Sequence, residues 1–277
     1  VLSALLERLE RDRSLDDPAR LRDRLDALDR LELCTFDGDE HRRAAVLRTK
    51  LEAINDALYR QLREAIRQGG GVAALSGWMT PQPGDAVEEA LLTEGYDYRD
   101  ELVSGILQFA QPDDAGVEQP KDMVFYQPTP ARHVFDLIRR AGLTARDVLV
   151  DLGSGLGHVP LLAAIASPAQ CIGIEREAAY VECFRRSAEV LGITRATCIR
   201  QDAREFDFSR GTLFYLYTPF TGAVMRTVLD KLRHEAVSRR IRIATYGPCT
   251  SVISAEPWLE AIGTVDARRV VLFRSRG

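Results

Sequence analysis

Residues 147–160 read Asp-Val-Leu-Val-Asp-Leu-Gly-Ser-Gly-Leu-Gly-His-Val-Pro. An apolar run of strand length, 148–150, leads into Asp151; a glycine-rich turn follows, and an apolar segment at helical spacing, 159–165, comes after it. The order is strand, tight loop, helix start. Glycine lets a backbone turn sharply and come close to a ligand, and the first turn of the helix that follows points unpaired N–H groups at that ligand.

The spacing narrows the ligand. A dinucleotide-binding loop reads Gly-x-Gly-x-x-Gly, whereas Gly153, Gly155 and Gly157 are evenly spaced here and His158 stands where the third glycine would fall. A nicotinamide-dependent oxidoreductase is therefore disfavoured. Outward from the loop, strand-like and helix-like segments alternate in the way that builds parallel βαβ units. Strands are expected at 148–152, 171–175, 196–200, 213–217 and 241–246, with helices at 131–141, 159–166, 178–191 and 223–236 between and before them. The tail 264–273 is expected to add one or two more strands.

The run 151–157 resembles motif I of the class I, seven-strand methyltransferases that use S-adenosylmethionine (SAM), and the similarity extends over about residues 120–277. The resemblance implies an α/β fold with a doubly wound, mostly parallel six- or seven-strand sheet. It also implies that Asp151, Gly153, Ser154, Gly155 and Gly157 surround the methionine half of SAM, released as S-adenosylhomocysteine. Glu175 ends the second strand, eighteen residues beyond Gly157, where a carboxylate accepts hydrogen bonds from ribose hydroxyls at the carboxyl edge of the sheet. In the resembled family an acidic residue there holds the SAM ribose. Asp202 and Ala203 follow the third strand, where that family reads the adenine. Phe125, Tyr126, Gln127 and Thr129 precede the first strand and are expected to close over the cofactor, with the alternative that they form a capped helix start with buried aromatics. In the latter, Thr129 is the N-cap and Pro130 the first helical residue.

Tyr217, Thr218, Pro219 and Phe220 end the fourth strand, where this fold faces the transferred methyl, and are the catalytic candidates. Amino-methylating relatives often carry Asn/Asp-Pro-Pro-Tyr/Phe there. This chain has Thr first and lacks the second proline, which argues against adenine or glutamine amide as acceptor. An aromatic ring at Tyr217 or Phe220 suits a pocket wall or a cation on its face. Methyl transfer is a direct displacement that depends on alignment, with proton removal where needed. His133 and His158 are each open to a role as base or to a structural role. The Asp-Leu-Gly-Ser-Gly-Leu-Gly loop with aromatic residues ahead of it is also similar to the non-SET histone lysine methyltransferases, although no basic nucleosome-binding segment accompanies it.

The bulk properties agree with an enzyme of this kind. A chain of 277 residues with 45% apolar content buries a large core, and a net charge of −4 supplies no overall basic field for nucleic acid. Five cysteines, Cys34, Cys171, Cys183, Cys198 and Cys249, show no metal-ligand spacing and read as reduced core thiols, and no metal is expected. No apolar run reaches membrane-span length, and Glu7, Arg8 and Glu10 stand where a signal peptide would be apolar, so a cytoplasmic protein without a membrane partner is expected.

Residues 1–68 are rich in Leu, Ala, Arg, Asp and Glu. Asp17-Pro18 reads as a helix start, after which Leu21, Leu25, Leu28 and Leu31 recur at helical spacing. A second stripe, Leu47, Leu51, Ile54, Leu58, Leu62 and Ile66, runs until Gly69-Gly70-Gly71. It fits packing within a helical bundle better than a coiled-coil seam. The stretch 69–84 is expected as a loop with Trp78 and Met79 exposed, helices are expected at 85–92 and 100–109, and the turn-rich 112–120 as a boundary. The division is thus a helical domain at 1–118, for lid, substrate selection or homodimerisation, and a SAM-binding domain at 119–277. The function expected is methyl transfer from SAM to a protein side chain or small molecule in preference to nucleic acid; the alternative is a SAM-binding scaffold without turnover.

Overall fold

The computed structural model describes residues 2–80, 95–109 and 126–276. Seven strands form one sheet: β1 Val148–Leu152, β2 Gln170–Glu175, β3 Ala196–Arg200, β4 Leu213–Leu216, β5 Arg242–Thr245, β6 Leu259–Ile262 and β7 Val271–Ser275. Their order is β3-β2-β1-β4-β5-β7-β6. The first five are parallel, and β7 runs antiparallel to both β5 and β6. The sequence order reverses between β1 and β4, and such a switch point opens a crevice at the carboxyl ends of the strands. The strands β1 and β4 are buried on both faces, as a parallel sheet covered by helices requires. Leu149, Leu213, Tyr215 and Ala244 face one core, and Val150, Leu152, Phe214, Leu216 and Ile243 face the other.

Among the described residues, the N-terminal part contains α1 Leu2–Arg11, α2 Leu21–Leu33, α3 Gly38–Arg67, α4 Gly71–Met79 and α5 Tyr98–Leu107. The sheet carries α6 Ala131–Ala141, α7 His158–Ala166, α8 Ala178–Val190, α9 Gly222–Ser238 and α10 Cys249–Ser254. Every residue of α7 from Val159 to Ala166 is buried, because sheet and helical layer enclose it from both sides. Tyr59, Leu62 and Ile66 of α3, Leu75 of α4 and Leu102 and Ile106 of α5 share one core with α6, α7 and the sheet. Leu6, Leu9, Leu15, Ala27, Leu31 and Leu47 form a separate cluster at the far end of α3. There Arg24, with no exposed surface, donates to Asn55 Oδ1 at 2.6 Å, to the Pro18 carbonyl at 2.8 Å and to the carbonyls of Leu15 and Asp17. It ties α2 to α3 and closes the turn before α2.

Several expectations change. The stretch after the three glycines is a helix, α4, and not a loop. Gly71 does not end structure: a Cβ there would lie 2.7 Å from Ile165 Cγ2, so its absence lets α4 rest on α7. Trp78 and Met79 are partly buried against the main core. The helix after Pro18 begins only at Leu21, since Asp17 spends its carboxylate on the Ala19 amide. Pro130, not Thr129, is the N-cap of α6, and the amide of its first helical residue, Ala131, donates to Asp100 Oδ1 at 2.8 Å. Asp100 also completes the capping box of α5 by accepting from the Asp97 amide at 2.7 Å. One carboxylate therefore starts two helices, with its pKa raised to about 6 by burial. The strand β6 lies ahead of the expected tail, with a loop to β7 rather than a tight hairpin. The expected helix at 85–92, the boundary at 112–120 and Phe125 fall outside the described residues.

Candidate active site

The loop after β1 is built by its own backbone. Gly153 and Ser154 both donate to the Ile174 carbonyl, at 2.9 and 3.0 Å, and Gly157 donates to Ser154 O at 2.9 Å. Gly153, Gly155 and Gly157 all have positive φ, at 84°, 52° and 94°, a region that costs an L-residue about 1–2 kcal/mol. Space excludes side chains as well. A Cβ at Gly153 would strike Pro219, one at Gly155 the Tyr126 ring, and one at Gly157 the Phe184 ring. Ser154 turns its hydroxyl into the sheet, 3.9 Å from Cys198 Sγ, and so shapes the loop from within.

Glu175, at the end of β2, fixes that loop. Its Oε2 accepts from the Gly155 amide at 2.8 Å, and its Oε1 accepts from the amides of Arg176 and Glu177 at 2.7 and 2.9 Å. Hydrogen bonds to a charged acceptor contribute about 1.5–3 kcal/mol each. Burial nonetheless pushes the Glu175 pKa upward.

Asp151, the partner of Gly173 in β2 and of Tyr215 in β4, is 4% exposed. Among the described residues its carboxylate receives no hydrogen bond and makes no ion pair. Burial, and then the negative charge of Glu175, hold its pKa well above the usual carboxylate range. Two buried acids thus lie together at the switch point, and among the described residues no cation offsets the charge of Asp151. That arrangement is costly unless a cation completes it.

The segment ahead of α6 covers the loop. Tyr126 lies over Gly155, packs against Tyr180 with ring centroids 5.1 Å apart, and bonds His158 Nδ1 through its hydroxyl at 3.1 Å. Burial holds His158 at a pKa of about 4, so its imidazole is neutral at pH 7. Thr129 pairs its hydroxyl with that of Tyr215 at 2.9 Å, both side chains buried. Gln127 is exposed. Asp202 and Ala203 sit at the end of β3, but both Asp202 oxygens are taken by Arg204, whose hydrogen bonds hold its carboxyl below the usual range.

After β4 the four catalytic candidates separate. Tyr217 packs on Tyr246, centroids 4.7 Å apart, and Tyr246 in turn packs on His133 at 4.3 Å. The His133 imidazole, its pKa held at about 4 by burial, leaves Nε2 without a partner. Thr218 has φ +42°, rare for a β-branched residue. Pro219 rests on Gly153. Phe220 is only 2% exposed and belongs to the core on the opposite face of the sheet from Tyr217, so it does not wall the same pocket. Sequence reasoning missed Tyr246, just after β5, and Cys249 of α10, which meet Tyr217 and Thr218 at this turn, and Tyr180 of α8, which meets Tyr126 over the glycine loop. The one local signal was Gly247 after β5, whose missing Cβ admits the Tyr217 ring, 2.9 Å from where that atom would be.

Among the described residues, no group of three His, Cys, Asp or Glu could hold a metal, and no helix is long and apolar enough to cross a membrane.

Residues 122–211 match the family model described as "Histone methylation protein DOT1". Among solved structures, the chain is similar to an RNA methyltransferase from Salinibacter ruber in complex with S-adenosyl-L-homocysteine. That similarity has 24% identity, covers 54% of this chain and 92% of that one, and has a TM-score of 0.41. It is also similar to a SAM-dependent O-methyltransferase from Thermotoga maritima, at 16% identity, 54% and 66% coverage and a TM-score of 0.41. No curated protein matches it. A seven-strand sheet with one antiparallel strand, a glycine loop after β1 and an acid closing β2 give this chain the fold of the class I, SAM-dependent methyltransferases.

Proposed function

We propose that the protein is a SAM-dependent methyltransferase whose acceptor is a protein side-chain nitrogen. The observation that carries the cofactor is the pair of buried acids, Asp151 and Glu175, at the switch point. SAM has a sulfonium and an α-ammonium, and its net positive charge supplies the cation that Asp151 lacks. In this reading Asp151 holds the ammonium end, the glycine loop follows the methionine chain, and Glu175 offers the one lone pair left on its Oε2 to the ribose. Asp202 and Ala203 flank the adenine, where Asp202 must first give up Arg204. Tyr126 lies across the loop and limits access of water.

Bound SAM would supply an electrophilic methyl: the acceptor lone pair would form the new bond to carbon as the carbon–sulfur bond breaks with its electrons staying on sulfur, and the acceptor nitrogen would release its proton to solvent. The chain's part is alignment and dryness, which can account for a large share of a displacement rate. A protein acceptor is supported by the match of residues 122–211 to a histone-methylation family model. The aromatic end formed by Tyr217 and Tyr246 suits an alkylamine arm.

The test is transfer of tritiated methyl from SAM to core histones, poly-lysine and total RNA in parallel. Label in protein is expected. Label in RNA alone would overturn the acceptor class, and SAM binding with no label in any acceptor would favour a scaffold without turnover.

A further inference from the structure

The turn after β4 holds a conformation its own residues do not favour, and the partner that holds it comes from another element. Thr218 is one of two non-glycine residues with positive φ among the described residues. Its amide donates to Cys249 Sγ at 3.3 Å, and its Oγ1 accepts from the Cys249 amide at 3.1 Å. The exchange is reciprocal, backbone to side chain in both directions. Cys249 is the first residue of α10, so Thr218 also satisfies an amide that the helix start leaves unpaired. The thiol is 2% exposed and lies 3.5 Å from both the Leu216 and Tyr246 carbonyls, either of which accepts its S–H hydrogen bond.

We propose that Cys249 is a positioning residue for methyl transfer: its paired hydrogen bonds with Thr218 lock the Thr218–Pro219 turn against the cofactor loop. The inference rests on the methyltransferase reading above and adds a residue to it. The left-handed Thr218 brings Pro219 onto Gly153, the first glycine of the loop, and Gly247 leaves room for Tyr217 beside it. Held in this way, the acceptor side of the site keeps a fixed distance from the methyl side. Backbone strain at a functional turn persists only where neighbours over-determine it, and Cys249 provides that restraint. The Thr218 hydroxyl, engaged with the Cys249 amide, shapes the turn rather than holding the acceptor alone. The sulfur acts as a hydrogen-bond partner only and undergoes no chemistry.

The experiment measures SAM affinity by calorimetry and steady-state methyl transfer with core histones, poly-lysine and total RNA as acceptors. Cys249→Ala should lower kcat at least tenfold while SAM Kd and acceptor KM stay within threefold of wild type. Cys249→Ser, which keeps a donor and acceptor there, should recover most of the rate. Thr218→Val breaks the other arm while keeping the side-chain shape, and should lower kcat in the same way; it also serves if Cys249→Ala does not fold. Faster hydrogen exchange at the Thr218 amide in Cys249→Ala should accompany the loss. A wild type that turns over, beside Cys249→Ala and Thr218→Val at the same kcat, overturns the inference. A wild type that binds no SAM, or labels none of the three acceptors, overturns the methyltransferase reading and this role with it.

Discussion

Glu175 satisfies three backbone amides with two oxygens, so its contribution is both to the loop and to any ligand the loop holds. Glu175→Ala strands the Gly155 amide, and SAM affinity measured by calorimetry should fall at least tenfold, consistent with about 1.5–3 kcal/mol for a hydrogen bond to a charged group. An affinity equal to wild type would remove Glu175 from the site. At Gly155, valine should displace the Tyr126 ring and abolish SAM binding. The space it would fill belongs first to Tyr126, where the sequence suggested only the cofactor. The acid and the glycines were legible because each depends on local spacing from β1. Cys249 was not, because it meets Thr218 across 31 positions of sequence and its residue type alone suggests a core thiol. Phe220 and Tyr217 shared one motif in sequence, yet the turn after β4, with Thr218 left-handed, sends them to opposite faces of the sheet.

Elements whose ends carry their own stop signals were readable from sequence to the residue. The helix α6 runs from the Pro-Thr-Pro step to Gly142, which has φ +56°, and β1 and β3 match their expected spans. The helix α4 was not readable, since a glycine that permits close helix packing looks the same in sequence as one that ends a helix. Gly105 of α5 shows the same use: a Cβ there would run into the Tyr59 ring of α3. Gly105→Ala should therefore push α5 from α3 and destabilise the protein by about 1–3 kcal/mol in urea unfolding, despite alanine's better helix propensity. A stabilised variant would contradict this packing. The strand β7 begins within the expected tail, whereas β6 lies ahead of it, because the connection between them has no tight-turn signature.

At the scale of the molecule, one core runs from α3, α4 and α5 through α7 to the sheet, so much of the helical N-terminal part is continuous with the layer that builds the site. His133, buried in α6, makes a pH prediction. His133 has a folded pKa of about 4 against 6.5 when unfolded, so its stabilising contribution is full above pH 6.5 and is lost as pH falls toward 4. Asp100, raised to about 6, contributes in the opposite sense, favouring the fold below pH 3.8 and losing that contribution as pH rises through 6. The comparison that isolates the histidine is His133→Gln: between pH 7 and 4.5 the wild type should lose on the order of 2 kcal/mol more stability than the variant. Equal slopes would contradict the neutral, buried imidazole. The central claim is that two buried acids at the switch point await a cationic cofactor, and its most direct test is calorimetric titration of the folded protein with SAM, beside Asp151→Asn. The account predicts micromolar binding by the wild type and a loss of tenfold or more in the variant; a folded wild type that takes up no SAM, or a variant that binds equally well, would contradict it.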